Sequence, residues 1–276
     1  MLLDTLEKPK SRPPIITICG DSGLGKTSLA CSFPKPVVIR AEDGLEAIPE
    51  EKRPPAFPLL KNAEPIWQQL KALRDEDHDY KTLVIDSVTS LERLFISYVI
   101  ESDPKQPRSI NQALGGYGAG LSAVANLHQR VRKATGILNQ TKKMNIVFVA
   151  HADTETLELP DQDPYTRYSL RLGKKSLAPY VDESDLVGFL KLEAYTHGDG
   201  QRKKVVSTGS RVLVTYATAS NISKNRYGIT EDIPVKLGEN PLIPYIKTLQ
   251  PQKETPTQKP QQTKQAQQTK QVNQTK

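Results

Sequence analysis

The stretch Gly20-Asp21-Ser22-Gly23-Leu24-Gly25-Lys26-Thr27 limits what this chain can fold into more than any other. It fits the pattern G-x-x-x-x-G-K-[ST], in which glycines let the backbone turn tightly enough to aim several N–H groups at one anion. Such a loop needs a strand before it, to fix its base, and a helix after it, to add the positive end of a helix dipole. Both flanks are present. Ile15-Ile16-Thr17-Ile18-Cys19 is a short apolar, β-branched run that reads as a buried strand. Lys26 to Cys31 is helix-compatible, and Pro34 closes the segment. Residues Gly20, Asp21, Ser22, Gly23, Leu24, Gly25, Lys26, Thr27 and Ser28 are therefore the candidate nucleotide-phosphate contacts. Lys26 is placed to meet the β- and γ-phosphates, and the Thr27 hydroxyl to ligate Mg²⁺.

A second half of such a site is visible further on. Thr82-Leu83-Val84-Ile85-Asp86 reads as a buried strand ending in a carboxylate, which can hold through water the same Mg²⁺ as Thr27. Val37-Val38-Ile39 is another short strand and leads into Arg40-Ala41-Glu42-Asp43-Gly44, an acidic turn. Asn145 to Ala150 is a fourth strand with His151 just past its end, level with Asp86 and the phosphate loop. Further strands are expected at Leu186–Leu190 and Arg211–Thr215. Helices are expected at Pro65–Arg74, Ser90–Glu101 and Leu121–Gln140, with Ile66, Leu70 and Leu73 on one face of the first. Trp67, at the edge of that face, reads as a core or interface anchor. Ser102 to Gly120 reads as a loop in which Tyr117 stands among glycines near Lys105 and Arg108, either a base-stacking element or a plain connector. Asp153 to Tyr168 reads as a polar loop, and Ser223 to Gly228 as a basic turn. The alternation of strands and helices predicts an α/β domain with a mainly parallel central sheet flanked by helices.

The 276 residues suit one such domain at 15–250, with an N-terminal extension at 1–14 and a tail at 251–276. The tail is Gln, Lys, Thr and Pro with almost nothing apolar, and Gln261 to Val272 repeats with a period of six. Its five lysines outnumber Glu254 by four, which leaves three of the formal +7 for residues 1–250. Such a composition predicts disorder, with either no specific role or that of a weak electrostatic tether to nucleic acid. No apolar run is long enough to cross a membrane, and residues 1–14 lack the apolar core of a signal peptide, so a cytoplasmic location is expected. The two cysteines, Cys19 and Cys31, read as reduced thiols within a strand and a helix.

Several of these segments carry a resemblance. Val84-Ile85-Asp86-Ser87-Val88-Thr89-Ser90-Leu91 resembles the corresponding strand and helix start of RecA-type recombinases. Ala41-Glu42 after Val37-Val38-Ile39 is similar to the RecA strand that ends in its catalytic glutamate. Phe148-Val149-Ala150-His151 is similar to the strand whose final Gln senses the γ-phosphate, with His in its place here. Lys224-Asn225-Arg226 resembles the C-terminal Lys-x-Lys segment that reaches the neighbouring subunit's ATP. The match runs from Ile15 to Gly228 in RecA order, and the chain looks most like phage-encoded RecA-like ATPases of the AAA/RecA type that act in single-strand annealing recombination. RecA's N-terminal polymerisation helix has no equivalent in Met1 to Pro14, and its acidic C-terminal part is replaced by the Gln/Lys tail.

The resemblance implies a RecA-like P-loop NTPase core with ATP and Mg²⁺ as cofactors. Glu42 would orient or deprotonate the attacking water; spacing alone does not separate it from Asp43. Lys26 would offset phosphate charge, His151 would contact the γ-phosphate or the water, and Lys224 and Arg226 would complete the site in trans. Implied partners are single-stranded DNA, bound through the loops after Glu101 and after His151, further copies of the chain in a ring or filament with ATP between subunits, and a single-strand-binding protein. For a phage protein the compartment would be the host cytoplasm. Two other classes stay open: a non-hydrolysing protein that coats single strands when nucleotide is bound, and a P-loop small-molecule kinase.

Overall fold

In the computed structural model, residues 2–8, 10–197 and 204–250 are described, without the side chains of residues 195–206. The predicted tail therefore lies outside the described residues. Five parallel strands form the centre of the sheet: β1 (Ile15–Gly20), β2 (Pro36–Arg40), β3 (Thr82–Asp86), β4 (Asn145–Leu159) and β6 (Leu186–His197), in the order β2-β3-β4-β1-β6. β7 (Lys204–Val214) pairs antiparallel with β6, and β9 (Ile233–Val235) pairs with β7. β5 (Gln162–Leu170) pairs with β4, and the two-residue β8 (Lys224–Asn225) with β6.

The apolar runs of the sequence follow from cover on both faces. Successive strand residues point to opposite sides. Ile15, Cys19, Val37, Ile39, Leu83, Ile85, Ile146 and Phe148 pack on one side, against α2 (Pro65–Asp75), α3 (Val88–Ser102) and α4 (Ala119–Thr141). Ile16, Ile18, Val38, Val84, Val147 and Val149 pack on the other, with Leu29 of α1 (Lys26–Ala30) and with Ile229, Ile233, Leu242 and Ile246. A strand buried on both faces needs no alternation. Trp67 is the anchor expected of it, stacked on Phe95 at 6.1 Å between centroids with Arg130 4.1 Å over its ring. Cys19 and Cys31 are free thiols.

One expectation is corrected. Asp153 to Tyr168 is not a loop. β4 runs on past His151 and pairs with β5 from Ala152–Leu170 to Leu159–Gln162, as a two-stranded ribbon standing beyond the sheet. Its residues face solvent on both sides, so no apolar periodicity marks it. The strand at Leu186 likewise extends to His197 rather than stopping at Leu190.

Gly20 ends β1 opposite Leu190, and a Cβ there would sit 2.4 Å from the Leu190 carbonyl oxygen, a backbone atom that cannot move aside. The first glycine of the motif is thus required by strand packing. Gly20→Ala is expected to lower stability by about 1–3 kcal/mol. Thermal unfolding should show a melting point lower by several degrees; an unshifted curve would contradict the contact.

Candidate nucleotide site at the carboxyl edge of the sheet

Parallel register brings the polar strand ends to one edge. Gly20 lies beside His151, Arg40 beside Asp86, and Asp86 beside Val149. The Ala41 and Glu42 amides donate to the Asp86 carbonyl at 2.7 and 3.1 Å, which fixes Glu42 against the end of β3.

The loop between β1 and α1 has its glycines where the backbone demands them. Gly23 (φ 79°) and Gly25 (φ 90°) are left-handed, a region open to Gly without steric cost. Lys26 is 6 % exposed and donates to the Asp21 carbonyl at 2.8 Å, across the loop it belongs to. Burial lowers its pKa, and no ion pair neutralises it among the described residues. A buried ammonium without a counter-ion is a site for an anion.

Thr27 Oγ1 donates to Asp86 Oδ2 at 2.7 Å. Asp86 is 1 % exposed, and its other carboxylate oxygen has no hydrogen-bond partner. Burial is the main cause that pushes the Asp86 carboxyl up to about 6, against the hydrogen bond from Thr27. An orphaned carboxylate oxygen beside a hydroxyl fits a hard divalent cation that keeps most of its waters. Gly44 leaves room for it: a Cβ there would lie 3.4 Å from Thr27 Oγ1 and 3.5 Å from Asp86 Oδ2.

Glu42 is held by a network that sequence reasoning missed. One carboxylate oxygen accepts from Ser87 Oγ at 2.7 Å and from Ser90 Oγ. His151 Nε2 reaches both oxygens, at 3.0 and 3.2 Å. With the proton on Nε2, the ring donates to Glu42, and Nδ1 accepts from Ser22 Oγ of the phosphate loop at 3.3 Å. Arg93 donates to Ser90 Oγ at 2.7 Å. Burial pushes the Glu42 carboxyl up, yet the hydrogen bonds from His151, Ser90 and Ser87 outweigh it and hold it at about 2. The signal for this network was the sequence Ser87-x-x-Ser90: Ser87 caps α3 by accepting from the Ser90 amide, which turns both hydroxyls toward the strand ends. Asp43 instead faces Arg40, at 3.3 Å.

The structure brings Glu42, Lys26, Thr27, Asp86 and His151 together. It does not bring Lys224 and Arg226 to them. β8 pairs with β6 at Leu186 and Val187, the level of Ile16 and Thr17, roughly 10–15 Å down the sheet from Gly20. Lys224 donates to the Val181 and Asp182 carbonyls, and Arg226 pairs with Asp185 at 3.1 Å, a carboxylate that Arg12 also holds at 2.7 Å. Within one chain these residues anchor β8 and the N-terminal segment.

A cavity of about 610 Å³ opens beside α1, lined by Ser28, Cys31, Ser32, Ile48, Lys52 and Leu237. Leu237 closes one end against the phosphate loop: a Cβ on Gly25 would meet its side chain at 2.7 Å. No helix among the described residues is long and apolar enough to cross a membrane.

Comparison with known proteins places the chain. Residues 12–227 match a family described as AAA domain. The chain is also 25% identical over 203 residues to the SPbeta prophage-derived uncharacterized protein YorG of Bacillus subtilis (strain 168). That alignment covers 73% of this chain and 56% of the relative, so the chain spans little more than half the length of the protein it matches.

Asp86 gives a stability test with a definite sign. Its carboxyl ionises near 3.8 when unfolded and near 6 when folded, so without metal its contribution to stability falls as pH rises through that window. Above pH 6 the penalty is fully present, on the order of 2–3 kcal/mol. Asp86→Asn should therefore raise the metal-free melting temperature at pH 7.5 and leave it nearly unchanged at pH 4. Mg²⁺ should stabilise the parent but not the variant. Equal melting at pH 7.5 would mean that the carboxylate is not penalised by burial.

Proposed function

The chain belongs to the AAA-domain family, and on that footing we propose that it is a Mg²⁺-dependent ATPase that binds single-stranded DNA and promotes phage DNA recombination by single-strand annealing. The observation that carries the ATPase reading is the convergence of Glu42 and His151 with Lys26 and the Thr27–Asp86 pair at one sheet edge. A nucleotide-binding P-loop needs Lys26 and Thr27 alone; a carboxylate held between the loop and its partner strands is what hydrolysis adds. The relative's prophage source supports the phage context.

In this reading the backbone N–H groups of Gly23 to Thr27 and the Lys26 ammonium bind the phosphates, and base and ribose lie in the cavity beside α1. Thr27 and Asp86 would hold Mg²⁺, which supplies charge neutralisation at the phosphates. Glu42 orients the attacking water and accepts its proton. His151 spans the distance from Glu42 to Ser22, so a phosphate arriving in the loop competes for the side chain that pins the base.

For DNA, the two implied loops differ. The segment 102–118 carries Lys105, Arg108 and an exposed Tyr117. The ribbon after His151 carries Asp153, Glu155, Glu158, Asp161 and Asp163 against Arg167, a charge that repels phosphates. The first segment is the one this reading keeps. Lys224 and Arg226 enter only across a contact between copies, where the amino-end face of one sheet meets the nucleotide edge of the next.

Steady-state ATPase with and without single-stranded DNA is the test. Stimulated hydrolysis supports the proposal; DNA binding without turnover supports a coating protein. Lys26→Ala should abolish hydrolysis, and Glu42→Gln should bind ATP yet lose roughly 10²–10⁴-fold in rate. A Glu42→Gln enzyme of normal rate would remove the base from Glu42. Mixing Lys26→Ala protein with a Lys224→Ala/Arg226→Ala double variant should restore part of the rate if the pair acts in trans; no recovery would confine both residues to anchoring.

A further inference from the structure

Outside the network around Glu42 lies a lip of cations that no step above uses. Arg171, Lys174 and Lys175 follow β5 and are all exposed. They are tied to the site by backbone contacts. The Arg171 amide donates to the His151 carbonyl at 2.8 Å, and the His151 amide donates to Thr89 Oγ1 at 3.0 Å. The Gly173 amide donates to both oxygens of Glu92 at 2.9 and 3.0 Å, which spends the one carboxylate of that turn of α3. Arg93, the next residue, is exposed and reaches inward to Ser90 Oγ. At the other end Lys175 Nζ donates to Ser122 Oγ at 2.8 Å and lies 3.5 Å from the Gly118 carbonyl, beside Tyr117.

None of Arg93, Arg171, Lys174 and Lys175 has an ion pair among the described residues. Tyr117 is fully exposed, and residues 114–118 all have positive φ, so this aromatic is displayed rather than packed. Exposed cations in a row ending in a displayed ring match the chemistry of single-stranded nucleic acid: phosphates along the cations, a base on the ring. The acidic ribbon rising from His151 bounds the row on its other side and repels the same phosphates.

We propose that Arg93, Arg171, Lys174, Lys175 and Tyr117 form a track for single-stranded nucleic acid, and that Arg93 couples its occupation to Glu42 through Ser90. Of these side chains, Arg93 donates inward to a hydroxyl that is itself bound to Glu42. While Arg93 donates to Ser90, that hydroxyl is fixed with its hydrogen on Glu42. A phosphate that draws Arg93 outward removes the fixing bond, and Glu42 loses one of the donors that hold it away from a water. Arg93 is thus a positioning residue. The coupling rests on the ATPase reading; the track does not.

The test has two separate arms. In the first, anisotropy of a labelled oligo(dT) is measured on the full chain without nucleotide. Lys174→Ala/Lys175→Ala should weaken binding about tenfold or more, and flatten the slope of log affinity against log salt by about 1.4, as expected for two lost single-strand phosphate contacts. Tyr117→Ala should weaken it roughly 5- to 100-fold with an unchanged salt slope. Unchanged affinity and slope, or tight binding of duplex DNA or anionic vesicles in preference to oligo(dT), would overturn the track. In the second arm, Arg93→Gln should weaken oligo(dT) binding less than the lysine pair does and flatten the salt slope by about 0.7, as for one lost contact, while at saturating oligo(dT) the ratio of stimulated to basal ATPase falls close to one; Arg93→Lys should keep part of that ratio. A parental ratio in Arg93→Gln would overturn the coupling. A parent with no hydrolysis would end the ATPase reading and the coupling with it, yet leave the first arm decisive for the track. Melting curves confirm that each variant is folded.

Discussion

The parallel sheet is covered on both faces, and the site follows from that constraint. Ile16, Val38, Val84 and Val147 pack on one side while Ile15, Val37, Leu83 and Ile146 pack on the other, so β1, β2, β3 and the part of β4 within the sheet have no face on which polar groups meet water. Polar side chains can collect only at the strand ends. At the carboxyl edge these are Glu42, Asp86 and His151, and backbone pairing, with the Glu42 amide on the Asp86 carbonyl, sets their relative heights before any side chain contacts another. The contact from Thr27 to Asp86 is possible because β1 and β3 flank the same strand, β4, in this order. A different strand order would keep the motif and part Thr27 from Asp86.

That constraint also explains what was legible in the sequence. Fully buried strands read as uninterrupted apolar runs, and the first polar residue after the run marks the edge, which is why Asp86 and His151 are legible as residues; Glu42, two positions past Arg40, is set apart from Asp43 only by the resemblance. The ribbon was not legible for the converse reason: its strands have no buried face, so Thr, Glu, Leu and Tyr alternate without a period that distinguishes them from a polar loop. Ser87, Ser90 and Arg93 were missed because each has a sufficient local explanation, as cap or surface helix residue, and only the fold turns them toward Glu42. Lys224 and Arg226 show the limit of resemblance: a basic triplet at the right place in the chain order stands, within one chain, at the wrong end of the sheet.

Lys26 and Asp86 are each costly to the folded protein on its own. Burial disfavours the charge on both, and neither is neutralised by the other: Lys26 is turned to the Asp21 carbonyl, Asp86 to Thr27. A stable core would have paired them. Held apart, they leave space for an anion at one and a cation at the other, with opposite charges that attract each other between them. A ligand that met both charges would return the stability that they cost, which would make ligand affinity and folding stability two readings of one linkage.

Glu42 poses the opposite problem, since it is stabilised too well. A carboxylate that accepts from two hydroxyls and an imidazole, with its pKa held at about 2, is a poor proton acceptor near neutral pH. Its present partners must therefore let go before it can act as a base. Ser87 is buried beside the end of β3 and has no exposed face from which a ligand could draw it away. The two partners that can respond are those with a second contact outside the network, His151 toward Ser22 in the phosphate loop and Ser90 toward Arg93 at the surface. One faces the place of the phosphates, the other faces solvent. A base restrained from two directions is released fully only when both restraints yield, and this is how the arrangement would make hydrolysis depend on nucleotide and on a second, anionic ligand together.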